Sequence, residues 1–215
     1  MWARALYAYA EHPDQHPDSV VWSDAKYVVV QDMFPKARVH LLVLPRPAPD
    51  TGAVPYTGPL DFQRRTDAAA VREMVAAART ALAAAHPAQD PAHVRLGFHM
   101  QPSMRPLHLH AISTDYDSPA LRTKKHWNSF TTRFFVDAAP LAARIDACAS
   151  DADVRALIES VFGDAAAADA LLRTPLCCHR CGAPMRNMPA LKIHILICTA
   201  PLPSCDDFSS HRLSS

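Results

Sequence analysis

Gly97-Phe98-His99-Met100-Gln101-Pro102-Ser103-Met104-Arg105-Pro106-Leu107-His108-Leu109-His110-Ala111-Ile112-Ser113 is the stretch on which the reading of this chain turns. From Leu107 to Ala111, apolar residues alternate with histidine. Successive side chains of a strand point to opposite faces, so Leu107, Leu109 and Ala111 are expected to meet a core while His108 and His110 stand together on the other face. A turn at Pro102 would bring His99 and Ser103 within reach of that second face. Two imidazoles, a third nearby and a hydroxyl suit covalent chemistry at phosphorus: one imidazole attacks while the others bind phosphate oxygens and move protons. The HxH pair alone is a weak signal, because a half-buried strand with polar histidines or a metal site has the same pattern.

Upstream, Val20-Val21-Trp22 and Tyr27-Val28-Val29-Val30 are strand-like runs separated by Ser23-Asp24, a hairpin signal. Asp32-Met33-Phe34-Pro35-Lys36-Ala37-Arg38-Val39-His40-Leu41-Leu42-Val43-Leu44-Pro45 ends in another strand, entered through a Pro-Lys turn. Residues 46–60, with Pro47, Pro49, Pro55 and Pro59, predict a long exposed loop. Thr66 or Asp67 should cap a helix to about Ala85, with Val71, Met74, Val75, Ala78 and Leu82 on its inner face. The strands then close with His93–His99 and Leu107–Ile112, which reads as α+β. An N-terminal helix over residues 2–11 puts Trp2, Leu6 and Tyr9 on one face, either to cover the sheet or to present an aromatic to a partner.

The net charge of +1 over 215 residues makes no general case for nucleic acid, but its distribution does. Six bases against two acids give Arg95–Arg133 a net +4, whereas seven acids against two arginines give Phe135–Ala170 a net −5. A basic patch beside the histidines reads as an anion-facing surface. Within it, Lys124-Lys125-His126-Trp127-Asn128-Ser129-Phe130 mixes bases with aromatics, which suits phosphate contacts with a stacking residue, or equally a solvated loop. No run is long and apolar enough to span a membrane, so the chain is expected to be soluble and intracellular. Residues 138–172 are Ala-rich and helical with a break near Gly163.

Four of the six cysteines lie in 177–198, as metal binding in a reducing compartment would have them. Cys178-x2-Cys181-x12-His194-x3-Cys198 has the ligand spacing of a ββα finger, and Met185 and Leu191 fall at its two core positions. Cys177 leaves an ambiguity of register, in which the two-residue gap and the core spacing both favour Cys178. Four protein ligands close the site, so the zinc is expected to be structural, the finger unfolded without it, and its contribution to be binding and not catalysis.

With these motifs in order, the chain resembles the aprataxin family, the DNA-deadenylating branch of the histidine-triad (HIT) superfamily, nearly end to end. The resemblance runs through the Asp32–Pro45 motif, Gly97-x-His99-x-x-Pro102-Ser103-Met104, Leu107–Ser113, Asp117-Ser118-Pro119, Lys124–Phe130 and the finger. It implies an α+β fold: a HIT-like antiparallel sheet with flanking helices, plus a small C-terminal ββα-type zinc finger. The corresponding division is a catalytic domain at 1–136, a helical connector at 137–173, the finger at 174–199 and a flexible tail at 200–215.

The implied activity, in nuclear single-strand break repair, is removal of AMP from 5′-adenylated DNA ends through an adenylyl-histidine, with 3′-guanylated ends as a further substrate. Nicked or adenylated DNA and RNA–DNA ends are the implied partners, AMP the product, one structural zinc the metal, and no catalytic metal. Carried over by position, His108 resembles the nucleophile, His110 the last triad histidine, His99 the residue that assists the leaving DNA phosphate, and Ser103 a phosphate ligand. Asp32, Lys36 and His40 resemble the lining of the nucleotide pocket. Trp2 resembles a wedge against the exposed base pair, and Arg38, Lys124, Lys125 and His126 the DNA-contacting residues. The chain departs from the family pattern at Pro106, which replaces the first triad histidine, and at Cys198, where histidine or an acid is commoner. Its 46–60 loop is longer than expected, and the phosphopeptide-binding domain that precedes the HIT domain in animal members is expected to be missing.

Three rivals remain on sequence alone. One is a general HIT phosphoramidase or dinucleotide hydrolase, and another a non-catalytic finger protein on a dead HIT scaffold. The third is a metal-dependent hydrolase, which needs a carboxylate near His108, where the immediate flanks offer only Asp115 and Asp117.

Overall fold

Alternating apolar residues give this chain a sheet whose two faces are covered by different things. The computed structural model describes residues 5–204 and 207. Among these, β1 (Val20–Ser23), β2 (Tyr27–Gln31), β3 (His40–Pro45), β4 (Val94–His99), β5 (Leu109–Ser113) and β6 (Phe135–Asp137) form one antiparallel sheet in the order β1-β2-β3-β5-β4-β6. The first two strands make the expected hairpin. Asp24 shapes its turn by accepting the Lys26 and Tyr27 N–H groups at 2.8 and 2.7 Å.

On the first face lies the main core. Leu41, Val43, Leu109, Ala111 and Phe98 pack there under helix α2 (Asp67–Ala85; the short α1, Tyr7–Glu11, lies on the opposite face). Helix α2 buries Val71, Met74, Ala78 and Leu82 as its 3–4 spacing predicts. Its start differs from expectation, because Thr66 makes no cap. Asp67 turns back instead: its buried carboxylate accepts the Gln63 and Arg64 N–H groups at 2.7 and 2.8 Å and the Tyr56 hydroxyl at 3.0 Å. Three donors offset the desolvation of a carboxylate that is 2% exposed.

The segment read as a connector does more than connect. Between α3 (Lys124–Thr131) and the finger it forms α4 (Ala138–Asp146), α5 (Asp151–Phe162) and α6 (Ala165–Arg173). Leu141, Ala142, Ile145, Val154, Ile158 and Phe162 of α4 and α5 belong to the main core, α4 packing on the sheet-bound α2 and α5 against the turn at Pro59–Asp61. Helix α6 lies against α3, where the Asn128 amide donates to the Leu172 and Thr174 carbonyls at 3.0 and 2.8 Å.

The second face is divided. At one end α1 covers Val28, Val30, Leu42 and Leu44 with Leu6 and Ala10. At the other end Ile112 and Phe135 join Trp127, Phe130 and Tyr116 in a core shared with Leu176, Met188, Leu191 and Ile195 of the finger region. The finger helix is α7 (Met188–Ile197), capped by Asn187, and its hairpin is reduced to the single bridge Cys177–Pro184. Between these two ends lie the histidines.

Candidate functional site

Register assembles the cluster. β5 pairs Leu42 of β3 and Gly97 of β4 with His110, and His40 with Ile112, so His40 and His110 become diagonal neighbours on the second face. His108 stands just ahead of β5, and His99 ends β4. As the alternation predicts, Leu107, Leu109 and Ala111 are buried in the main core while His108 and His110, each 5% exposed, face the other way. Gly97 permits the arrangement: a Cβ there would lie 2.3 Å from the Val136 carbonyl oxygen and 2.5 Å from the Phe135 ring, which closes over the site.

Hydrogen bonds assign the tautomers. The Pro106 carbonyl can only accept, so His108 Nδ1, 3.0 Å away, carries its proton and leaves the Nε2 lone pair free. The Lys36 N–H can only donate, so His40 Nδ1 accepts it at 3.1 Å. His40 Nε2–H then donates to His110 Nδ1 at 3.0 Å, and His110 carries its own proton on Nε2. That Nε2 is buried without a partner, as is Nε2 of His99, whose ring packs 4.3 Å from His110 and 4.7 Å from Phe130. Two orphaned imidazole nitrogens beside a free lone pair are what an incoming phosphate would satisfy.

Burial keeps all four rings neutral. It pushes His40 down to about 4 against the opposing Asp32 carboxylate, and lowers His108, His99 and His110 as well. The Lys36 ammonium adds to the depression at His40, His99 and His110, which locates a cation at the edge of the cluster. Lys36 is itself lowered by burial, with Asp32 opposing, and its Nζ donates to the Phe34 carbonyl.

Asp32 joins the cluster to a neighbouring cavity. One carboxylate oxygen lies 3.4 Å from His40 Nδ1, the other accepts the Phe34 N–H at 2.7 Å, and the residue lines a cavity of about 220 Å³ with Leu6, Tyr9, Val30, Leu42 and Met104. Asp32, His40 and His110 are also close enough to share a cation, a carboxylate that the flanks of His108 did not reveal. Both nitrogens of His40 are engaged within the protein, however, so a cation would first have to break those bonds.

The remaining expected residues are placed as follows. Ser103 is exposed in the loop between β4 and β5. Arg38 is exposed and paired with Asp117 at 2.9 Å, while its N–H donates to Asp115 at 3.1 Å. Lys124 and Lys125 are exposed in the first turn of α3, which has no acid of its own. His126 follows them half-buried, lowered by burial and by the charges of Lys36, Lys125 and Arg122, which puts this helix end beside the cluster. Trp2 lies outside the described residues. The stacking residue expected in 124–130 is corrected: Trp127 is 1% exposed and donates through Nε1 to the Cys177 carbonyl at 3.1 Å, and Phe130 is edge-on to His40 and His110. Both aromatics serve the core, because the finger covers them.

The finger ligands converge. Cys178, Cys181, His194 and Cys198 offer donor atoms all within 4.8 Å of one another, with Cys181 Sγ 3.2 Å from His194 Nε2 and the Cys178 and Cys198 sulfurs 4.0 Å apart. Tetrahedral zinc with Zn–S bonds of about 2.3 Å spaces its sulfurs at roughly 3.8 Å, so the donor set fits. The Cys181 thiol is lowered to about 7, chiefly by the Ala183 N–H, which favours the ligating thiolate. Cys177 is exposed and outside the group, which resolves the register. Leu191 is fully buried and Met185 packs against the same core, as the spacing predicts.

His179, Tyr116 and Phe135 were not found by sequence reasoning. Lone aromatics and a histidine between two cysteines carry no local signal; only Gly97, a glycine inside a strand, marked a close approach.

Comparison with known proteins finds two family models. Residues 8–126 match "Scavenger mRNA decapping enzyme C-term binding". Residues 131–199 match a C2HE / C2H2 / C2HC zinc-binding finger, a span that takes in α4 to α6, and its C2HC form accommodates Cys198. Aprataxin of Gallus gallus is 38% identical over 84% of this chain and 51% of its own length. An aprataxin-like protein of Schizosaccharomyces pombe is 30% identical over 88% of this chain and 78% of its own length. Hnt3, an aprataxin ortholog solved in complex with DNA and guanosine, superposes with a TM-score of 0.68 at 27% identity, covering 91% of this chain and 94% of that one. The chain spans only 20% to 51% of the length of the curated relatives first matched.

Proposed function

The chain belongs to the aprataxin family, and from that premise we propose that it is a DNA-processing hydrolase that removes AMP from 5′-adenylated ends in nuclear single-strand break repair. The observation that carries this reading is the tautomer set: a free lone pair on His108 Nε2 beside the unpartnered Nε2–H of His110 and the unpartnered Nε2 of His99. In the proposed reaction His108 Nε2 attacks the AMP phosphorus in line. The P–N bond forms as the P–O bond to the DNA 5′-phosphate breaks, and the leaving phosphate takes the electron pair. His110 Nε2–H, Lys36 and Ser103 bind the oxygens on which charge develops, and His99 assists the leaving group. Water then attacks the adenylyl-histidine, releasing AMP and returning the lone pair to His108.

The base enters the cavity between α1 and β2, with Asp32 at its side to accept hydrogen bonds from ribose hydroxyls. The guanosine bound by Hnt3 extends the proposal to 3′-guanylated ends. The DNA arrives over Lys124, Lys125, His126 and Arg38, with Trp2 against the exposed base pair. The four finger ligands would hold one zinc, which supplies folding energy to their segment and takes no part in the chemistry.

Incubating the protein with 5′-adenylated nicked duplex should release AMP, and rapid denaturation at alkaline pH, where a histidine phosphoramidate survives, should trap AMP on the parent but not on His108→Ala. Turnover of small dinucleotides with none of adenylated DNA would replace this proposal with a general nucleotide hydrolase.

A further inference from the structure

The finger reaches the histidine cluster through one side chain that is not a metal ligand. His179 lies between Cys178 and Cys181, yet it points away from the ligand group. Its Nε2 donates to the Thr114 carbonyl at 2.7 Å, four residues along the chain from His110. Thr114 is fully buried, so its carbonyl needs that donor. The ring sits edge-on to Tyr116 at 5.0 Å and to Trp127 at 5.2 Å.

Tyr116 is the only non-glycine residue at positive φ among those described, at 47°. A bulky side chain holds that conformation only where its surroundings over-determine it. Here they do. The ring is buried against His179 and Trp127, and its hydroxyl donates to the Phe130 carbonyl at 3.2 Å. Phe130 in turn stands edge-on to His40 and His110, each at 5.4 Å, and 4.7 Å from His99. The Trp127 indole, tied to the Cys177 carbonyl, closes the same unit from the side of α3.

From this continuity we infer that His179 is a positioning residue for hydrolysis: it holds the Thr114–Tyr116 turn at the end of the catalytic strand, and through Tyr116 and Phe130 the histidine cluster. The finger therefore acts on the chemical step as well as on DNA capture. This rests on the hydrolase reading above. A core residue that merely filled space would be as well served by any ring of that size; His179 supplies a donor to a buried carbonyl, which phenylalanine cannot.

The test uses the full chain with zinc bound and compares the parent with His179→Ala, His179→Gln and Tyr116→Phe. Zinc content, kcat and KM on a small adenylated phosphoramidate without DNA, and hydrogen exchange of the amides of Leu109–Tyr116 are measured. His179→Ala should keep its zinc, lose kcat by on the order of tenfold to a hundredfold with little change in KM, and exchange faster along that segment. His179→Gln, whose amide can still donate to Thr114, should recover most of the loss, and Tyr116→Phe should lose less than His179→Ala. Parental kcat and parental exchange in a zinc-loaded His179→Ala would overturn the inference, as would an equal kcat loss in the alanine and glutamine variants. If His179→Ala loses its metal, the glutamine and phenylalanine variants decide alone: parental exchange and kcat in Tyr116→Phe, with no kcat or exchange advantage of Gln over Ala, would overturn it. A parent that turns over no adenylated substrate would refute the hydrolase reading instead, and the exchange comparison would still judge the strut.

Discussion

The two faces of β5 share one backbone and differ in what covers them. Leu109 and Ala111 look into a core built by the nearby helix α2 and closed by α4 and α5. His108, His110 and Ile112 look the other way, toward residues brought from β3, β4, α3 and the finger. The first face needs only apolar area, and many sequences would satisfy it. The second needs individual donors, acceptors and ring edges in register. A substitution on the first face should therefore cost stability and spare chemistry in the folded molecules, and on the second it should do the reverse.

The largest effect belongs to the second face. His108→Ala should lower AMP release by at least about a thousandfold, since the nucleophile defines the route. Affinity for nicked DNA should change little, because in the proposed complex the surface cations and not the imidazole would supply it. Equilibrium binding and single-turnover assays on the same preparation check both halves, and residual turnover within tenfold of the parent would remove His108 from that role.

On the first face, Leu109→Ala deletes a fully buried side chain and should destabilise by about 3 kcal/mol in urea unfolding, with kcat of the folded protein near parental. Gly97→Ala makes the contrast. Its Cβ meets backbone and the Phe135 ring at 2.3 and 2.5 Å, so the β4–β6 pairing must shift and carry His99 with it. kcat should fall more than stability explains. If both variants lose activity only in proportion to unfolded protein, the two faces are not functionally distinct.

The same asymmetry decides what could be read in advance. Alternation over 107–111, the 3–4 spacing of α2 and the finger ligand spacing are local signals, and each corresponds to a local physical constraint. The Asp32–His40–His110 chain is not local: 70 residues separate His40 from His110, and only the β3–β5 register makes them neighbours. The capping rule named Asp67 but missed its partners, which precede the helix. Trp127 was misread because the residues that cover it lie some 50 positions away. The second core, shared by the sheet and the finger, is invisible to any window of sequence.

Buried neutral histidines predict how the second face responds to pH. His40 is held at about 4 in the fold against about 6.5 when unfolded, so between those values the unfolded chain binds the extra proton. Its contribution to stability is complete above pH 6.5 and is lost as pH falls toward 4, amounting to about 2 kcal/mol by pH 5. His99 and His110, also lowered by burial, push in the same direction. Urea unfolding at pH 7 and pH 5 should show the slope, and His40→Asn should flatten it. In the proposed reaction catalysis follows the same sign: His108 would attack as the neutral base, and burial lowers its pKa, so kcat/KM should stay level well into mild acid before falling. A loss of rate beginning above pH 7 would mean that burial does not govern His108.

The smallest effect lies on the rim of the second face, where Lys124 and Lys125 are exposed. They open α3 without an acidic neighbour in its first turn, so nothing on the helix competes with a phosphate for them. Each phosphate contact releases counterions, and the slope of log affinity against log salt should drop by roughly 0.9 when Lys124→Ala removes one. The loss should be a few-fold at moderate salt and equal for nicked, blunt and closed circular duplex, because a backbone contact carries no information about an end. kcat on the small substrate should be untouched, which separates this rim from His126 and Lys36 nearer the histidines. A Lys124→Ala variant that weakens binding only to nicked DNA would show instead that α3 reads the end itself, and would move the boundary of the catalytic face outward to include it.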